Sequence, residues 1–322
     1  MEQRKLIRLG NSSFAVALPK EWINRSGLKK GDEVFITPNS EGEIIVSHQQ
    51  KKNLSDKKTV INIDGKDDKN IRREFTSDYI NGCSIFEFTG AIDREKGKII
   101  KNIINHYISC EVSEESSTKV VVKDFFNLEE LNLNNFMRRI DNNIEEMFDI
   151  IIQGISGKKI SREDMEEMNK IDLDVNKFYF LTSRILTLGL NNPSLVHTLK
   201  IKPTELFNNW WLAFHLEHIG DDLKIMANKI KSEKLTAENR EIMASAFREM
   251  KERHGESLRI FYTQDNKKAY ELMESGKKMC NLAENLMKSK SALLIFTGAR
   301  LKEMSNASYQ ILKMMSHMNM QR

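Results

Sequence analysis

Between Phe214 and Ile230 the sequence FHLEHIGDDLKIMANKI places His215, Glu217, His218, Asp221 and Asp222 in an otherwise apolar segment. Glu217 and Asp221 are four apart, so on a helix their carboxylates share one face, with about 5–6 Å between Cβ atoms. Carboxylates that close repel unless a cation or a hydrogen-bond donor lies between them. Gly220, between the two, costs about 1 kcal/mol in a helix interior relative to Ala. Its missing side chain leaves clearance for another helix or for an ion. The preceding helical segment carries Asp172 and Asn176 at the same spacing, amid Ile171, Val175 and Phe178. Two antiparallel neighbouring helices, each offering such a pair, can converge on a cation. Oxygen-rich ligation favours Mg, Mn, Ca or Fe over metals that prefer thiolate. The plain alternative is a solvated helix face, because 30% of the residues are charged and lone Asp and Glu are mostly exposed.

Other chemistries find less support. A di-iron carboxylate oxidase needs Glu-x-x-His on two helices, and none of the seven His has a Glu three residues before it. Cys83, Cys110 and Cys280 are far apart and form no CxxC pair, which argues against a thiolate zinc site or a disulfide framework and suits a reducing cytoplasm. No Gly-rich phosphate loop follows a predicted strand. Ser/His/Asp and Cys/His arrangements have no positive signal, and no enzymatic activity is expected. The start, MEQRKLIRLG, lacks the apolar region of a signal peptide. No apolar run approaches the roughly 20 residues needed to cross a bilayer.

The elements that must hold these residues fall into three styles of sequence, predicting a multidomain α+β protein. Residues 1–48 read as short strands with turns: RKLIRL, FAVAL, a short helix after Pro19, then EVFITP and EIIV alternating around Asn39–Gly42. Forty-odd residues of this kind cannot bury a core alone, so this module is expected to dimerise. Residues 49–126 comprise a polar linker, QQKKNLSDKK, and a small α/β domain of order β-α-β-α-β-β, one sheet backed by two helices. Residues 127–322 are helical throughout. Asn127 with Glu130 reads as a capping box before Phe136, Ile140, Ile144, Met147 and Ile151, and Gly154 and Gly157 as the end of that helix. Ser161 with Asp164 opens a second helix, and a third follows Pro203. Three more cover about 236–262, 267–287 and 291–318. Sixteen Met, most of them after residue 130, suit irregular gaps between helices. Two sets of three suggest a duplicated unit, 127–230 and 234–318.

HLEHIGDDLKIMANKI resembles the signature of the PhoU family of phosphate-uptake regulators, with His218 where that family usually has Arg. IDLDVNKFYFL, Ile171–Leu181, resembles the partner helix. The resemblance covers about 128–318. It implies a bundle of two three-helix repeats and a site for a divalent or trivalent ion (Fe, Mn or Mg) at Asp172, Asn176, Glu217 and Asp221. His215, His218 and Asp222 become secondary candidates on the helix flanks. The second repeat departs from the pattern. Aligning ARLKEMSNASYQI on the signature sets Lys302 opposite Glu217 and Asn306 opposite Asp221, with Gly276 and Cys280 opposite Asp172 and Asn176. Lys302 would repel a cation, so one metal site is expected, not two.

RKLIRLG, LPKEW, GLKKGDEV and EIIV, in that order, resemble the AbrB/SpoVT/MazE-like swapped-hairpin modules, which intertwine as a dimeric β-barrel. Trp22 is expected to anchor the small core. DNA binding through Arg4, Lys5, Arg8 and Lys20 is implied, although Ile23 and Asn24 stand where DNA-binding members carry two adjacent basic residues. A net charge of +4 is too small to decide the matter. The combination is similar to archaeal phosphate-uptake regulators. It implies a cytoplasmic homodimer that restrains a phosphate ABC transporter, its signalling or its genes. Two other readings stay open: a transcriptional regulator with a helical sensor, and a metal-dependent enzyme of unnamed substrate.

Overall fold

The computed structural model describes residues 3–38, 42–48, 57–127, 132–192, 195–196, 199 and 201–318. The chain forms two compact units, residues 1–53 and 54–322.

In the first unit β1 (Ile7–Leu9) pairs antiparallel with β2 (Ser13–Ala15), Ile7 facing Ala15. Gly10, at φ +69°, makes the tight turn, and Arg8 Nε donates to its carbonyl at 3.1 Å. Helix α1 (Lys20–Arg25) starts after Pro19, whose fixed φ suits a helix start. A second antiparallel pair follows, β3 (Phe35–Pro38) with β4 (Ile44–Ser47). Residues 39–41 of the expected turn, and 49–56 of the expected linker, lie outside the described residues. The two hairpins stay separate two-stranded sheets. No described side chain of this unit is buried. Phe14 and Ile44 are 67% and 68% exposed, and Trp22 is half-buried with its ring edge-on to His48.

The second unit begins with an α/β layer: β5 (Lys58–Asn62), α2 (Asp68–Ile80), β6 (Ile85–Thr89), α3 (Arg94–Ile104), β7 (Cys110–Glu115) and β8 (Lys119–Asp124). The sheet order is β5-β6-β8-β7, with β5 parallel to β6 and the other pairs antiparallel. Asp67 and Asp93 cap α2 and α3 by accepting from the backbone N–H three residues on. The layer has its own aromatic core: Phe75 packs on Phe86 at 4.3 Å and on Tyr107 at 4.8 Å between ring centroids. The second helix ends at Ile104, short of the reach of its apolar pattern, because Tyr107 turns in to join this core.

Six long helices follow: α4 (Leu133–Ile155), α5 (Arg162–Asn191), α6 (Pro203–Ser232), α7 (Ala237–Thr263), α8 (Asn266–Met287) and α9 (Ala292–Met318). Ser161 and Asp164 form the expected capping box of α5. The expected Asn127–Glu130 box does not open α4. Asn132 does so, its side chain accepting from Asn135 N, while Glu130 lies outside the described residues. Gly154 does not end α4; it stays helical, and Ile160 packs where its Cβ would stand, while Gly157, at φ +118°, follows the C-cap Ser156 as expected. Pro203 is the first residue of α6 rather than its herald. Helices α4, α5 and α6 pack on one another, as do α7, α8 and α9; the trios join through α4 against α7 and α6 against α9. Ile140, Ile144, Met147 and Ile151 are fully buried in the shared core, which fixes α4 as the predicted apolar stripe.

The α/β layer docks on α5 through a contact that the apolar pattern does not reveal. Arg184, 4% exposed, donates through Nη1 to the carbonyls of Tyr79 and, at 2.8 Å, Cys83. Its Nη2 lies 3.0 Å from Asp124 Oδ2, and the guanidinium stands 4.6 Å over the Tyr79 ring. Phe180 stacks on Tyr107 at 5.0 Å beside it.

Candidate functional site

Helices α5 and α6 run antiparallel: Asp172 meets Lys224, Ser183 meets Trp210, and Gly189 faces Leu206. This brings the predicted residues of the two helices together. Asp172 is buried, and Lys224 Nζ donates to its Oδ2 at 2.6 Å. Asp221, three positions before Lys224 on the same helix, is exposed; partial desolvation first, then the neighbouring Asp172, raises its pKa. Glu217, one turn away, is pushed up to about 7, first by burial and then by Asp221. His218 Nδ1 lies 2.9 Å from Glu217 Oε2 and 2.9 Å from the Phe214 carbonyl, which opposes that rise. Asn176 is half-buried on α5, one turn after Asp172.

Gly220 serves helix packing. A Cβ there would lie 3.1 Å from Ile144 Cδ1 of α4 and 3.9 Å from Val175 Cγ1 of α5. Neither helix could then approach as closely.

Asp172 and Asp221 thus stand near enough to Glu217 to raise its pKa, and Asp172 is held by one ammonium. The donor set is all oxygen and suits a hard cation, but here Lys224 supplies the positive charge to Asp172. Among the described residues no group of three or more His, Cys, Asp or Glu is arranged to hold a metal ion. Binding one here requires Lys224 to leave Asp172.

The secondary candidates are not flank residues. His215 and Asp222 are both buried, because α6 is covered by α4, α5 and α9 and keeps only a narrow exposed stripe through His218, Asp221, Ile225 and Asn228. His215 is pushed down to about 4 by burial; its ring stands edge-on to Trp211 at 4.8 Å. Asp222 accepts from Arg300 Nη1 of α9 at 2.8 Å. Burial raises its pKa and Arg300 opposes the rise. Only His218 is exposed. In the second trio, Lys302 reaches Glu284 at 3.2 Å, and Lys302, Asn306, Gly276 and Cys280 line a single cavity.

Two cationic residues escaped the sequence reading. Lys224 follows Asp221 by three residues and reads as an ordinary i,i+3 partner; its bond to Asp172 depends on the α5–α6 register. Arg184 interrupts an apolar stripe, and that interruption is the one signal that could have marked it.

The predicted nucleic-acid contacts lie on the first unit. Arg4 and Lys5 precede β1, Arg8 is its middle residue, and Lys20 opens α1; all four are exposed.

Residues 7–54 match the family model described as "Antidote-toxin recognition MazE, bacterial antitoxin". No curated protein and no solved structure matches the chain. Among the described residues, no helix is long and apolar enough to cross a membrane.

Proposed function

We propose that this chain is a cytoplasmic, non-enzymatic regulator of phosphate uptake, acting on a phosphate ABC transporter, its signalling partner or its genes. The first unit joins two copies. The α5–α6 carboxylates, Asp172, Glu217 and Asp221 with Asn176, take a divalent or trivalent ion (Fe, Mn or Mg) in place of Lys224. The observation that carries this reading is the meeting of those carboxylates across facing helices of a bundle built from two similarly packed trios. It supports the resemblance to the PhoU family that the HLEHIGDD segment suggests. The absence of any buried side chain in the described first unit supports dimerisation, since Leu6, Ile7, Leu9, Phe14, Ile36 and Ile44 need cover. Elemental analysis of the full chain, beside Glu217→Ala/Asp221→Ala, tests the site. Bound metal in the wild type alone is expected; equal content in both would overturn the metal reading. Light scattering of the full chain tests the dimer, and a monomer at micromolar concentration would exclude it.

A second reading is favoured by the MazE match and the exposed Arg4, Lys5, Arg8 and Lys20: a DNA-binding transcriptional regulator whose helical bundle is the sensor. Here Arg4→Ala or Arg8→Ala should each reduce the salt dependence of promoter binding by about one unit of slope. Failure of the full chain to bind its own promoter region at low salt would dismiss it.

A further inference from the structure

The second trio contains a cavity of about 830 Å³ between α8 and α9, with Arg253 of α7 in its lining. Arg253 is only 8% exposed. Its Nη2 donates to the Leu272 carbonyl at 2.7 Å and its Nη1 to Ser275 Oγ at 3.2 Å. Both acceptors are neutral, and Nε has no hydrogen-bond partner. Among the described residues no carboxylate oxygen lies within 4.0 Å of this guanidinium. A buried charge without a counter-ion is strongly unfavourable. The fold nonetheless makes room for it: a Cβ on Gly276 would lie 2.5 Å from Arg253 Nη2. Lys277, Lys302 and Lys313 add to the positive lining and outnumber Glu274 and Glu303. Tyr270, Met273 and Tyr309 supply flat, apolar surface. The volume is that of small-molecule sites, about 300–1,000 Å³.

We propose that this cavity binds an organic anion, a phosphate or carboxylate head joined to a flat apolar body. The head bonds to Arg253, whose planar fork matches either group; the body lies against Tyr270, Met273 and Tyr309. The site is separate from the carboxylate cluster of the first trio and stands whether or not that cluster takes a metal.

Calorimetric titration of the full chain with adenosine 5′-monophosphate and with 1-naphthoate tests it. At least one is expected to bind with a Kd of roughly 1 mM or below, with adenosine and inorganic phosphate roughly tenfold weaker or more. Cys280 lines the cavity and is half-exposed, whereas Cys83 and Cys110 are buried. Saturating probe should therefore slow maleimide labelling of Cys280. Arg253→Met should weaken binding roughly tenfold or more. Lys277→Glu, at an exposed position that does not threaten folding, should weaken it in the same direction. The proposal is overturned if neither anion binds, if binding survives unchanged in both variants, or if a saturating anion leaves Cys280 labelling unaltered.

Discussion

Replacing Lys224 by Met removes the ammonium from Asp172 and leaves the aliphatic stem largely in place. The Lys224 and Asp172 side chains are 32% and 11% exposed, and they meet at 2.6 Å. Breaking a fully buried pair costs about 3–5 kcal/mol because the survivor is an uncompensated charge. Lys224 keeps partial access to water, so about 2–3 kcal/mol is expected here. In a unit of this size each kcal/mol moves Tm by roughly 2–4 °C, giving a fall of roughly 4–12 °C. Scanning calorimetry in chelator at pH 7.5 reads that fall. The same scan with Mn or Mg carries the sharper test. If Lys224 stands where a cation belongs, its removal vacates the position, and metal should restore the variant more than it stabilises the wild type. At one hundred times Kd the gain is about 2.7 kcal/mol, enough to cancel the loss. A variant as stable as the wild type in chelator would refute the assigned cost of an unpaired Asp172. A destabilised variant that metal helps no more than it helps the wild type would refute the equivalence of Lys224 and a metal ion.

Glu217→Gln should alter the pH dependence of stability. Below the unfolded pKa near 4.5 both states hold the proton and nothing is lost; as pH rises toward about 7 the unfolded chain ionises while folded Glu217 resists. The wild type therefore loses up to about 3 kcal/mol between those limits, and the Gln variant, followed by urea denaturation in chelator, should not. His254 gives the opposite slope. It is fully buried with neither ring nitrogen bonded, and burial pushes it down to about 4. Above pH 6.5 both states are neutral; on acidification the unfolded chain gains a proton that the folded one refuses, costing up to about 3 kcal/mol by pH 4. His254→Phe should flatten that limb, and an unchanged limb would show that another group carries it. Arg184→Met should cost about 3–5 kcal/mol by stranding Asp124 and two carbonyls. Hydrogen exchange should rise first in α2 and β8; protection in both at wild-type levels would count against the docking role.

The helices were legible because their apolar residues recur every three to four positions, as at Ile140, Ile144, Met147 and Ile151. The β-α-β-α-β-β order was legible for a similar reason. The carboxylates of the candidate site were legible as i,i+4 pairs. What a linear pattern does not carry is register between helices, and Lys224 reaches Asp172 only through that register. Nor does it carry the number of neighbours around a helix. His215 and Asp222 read as flank residues because a helix with one apolar stripe has flanks, whereas α6 has three neighbours. Leu212, Ala213, Leu216, Ile219, Leu223, Met226 and Ala227 recur every three to four positions and read as a single stripe, so the extra neighbours of α6 had no counterpart in the pattern. The MazE-like module was recognisable from its turn residues, but its described residues bury no side chain and so offer no core pattern to read.

Adjacent positions on a helix differ in direction by about 100°. Lys224 bonds to Asp172 in the first trio and Asp222 to Arg300 in the second, so two residues of α6 two positions apart hold two separate polar junctions at once. Inserting or deleting one residue between Trp211 and Asp221 would turn the two ends of α6 against each other by that angle. Asp172 and Arg300, or Ser183 and Gln310, would then lose their partners together. Length changes in related sequences should therefore collect in the connections before and after α6, around residues 193–202 and 233–236. Helix α6 itself should vary by substitution alone.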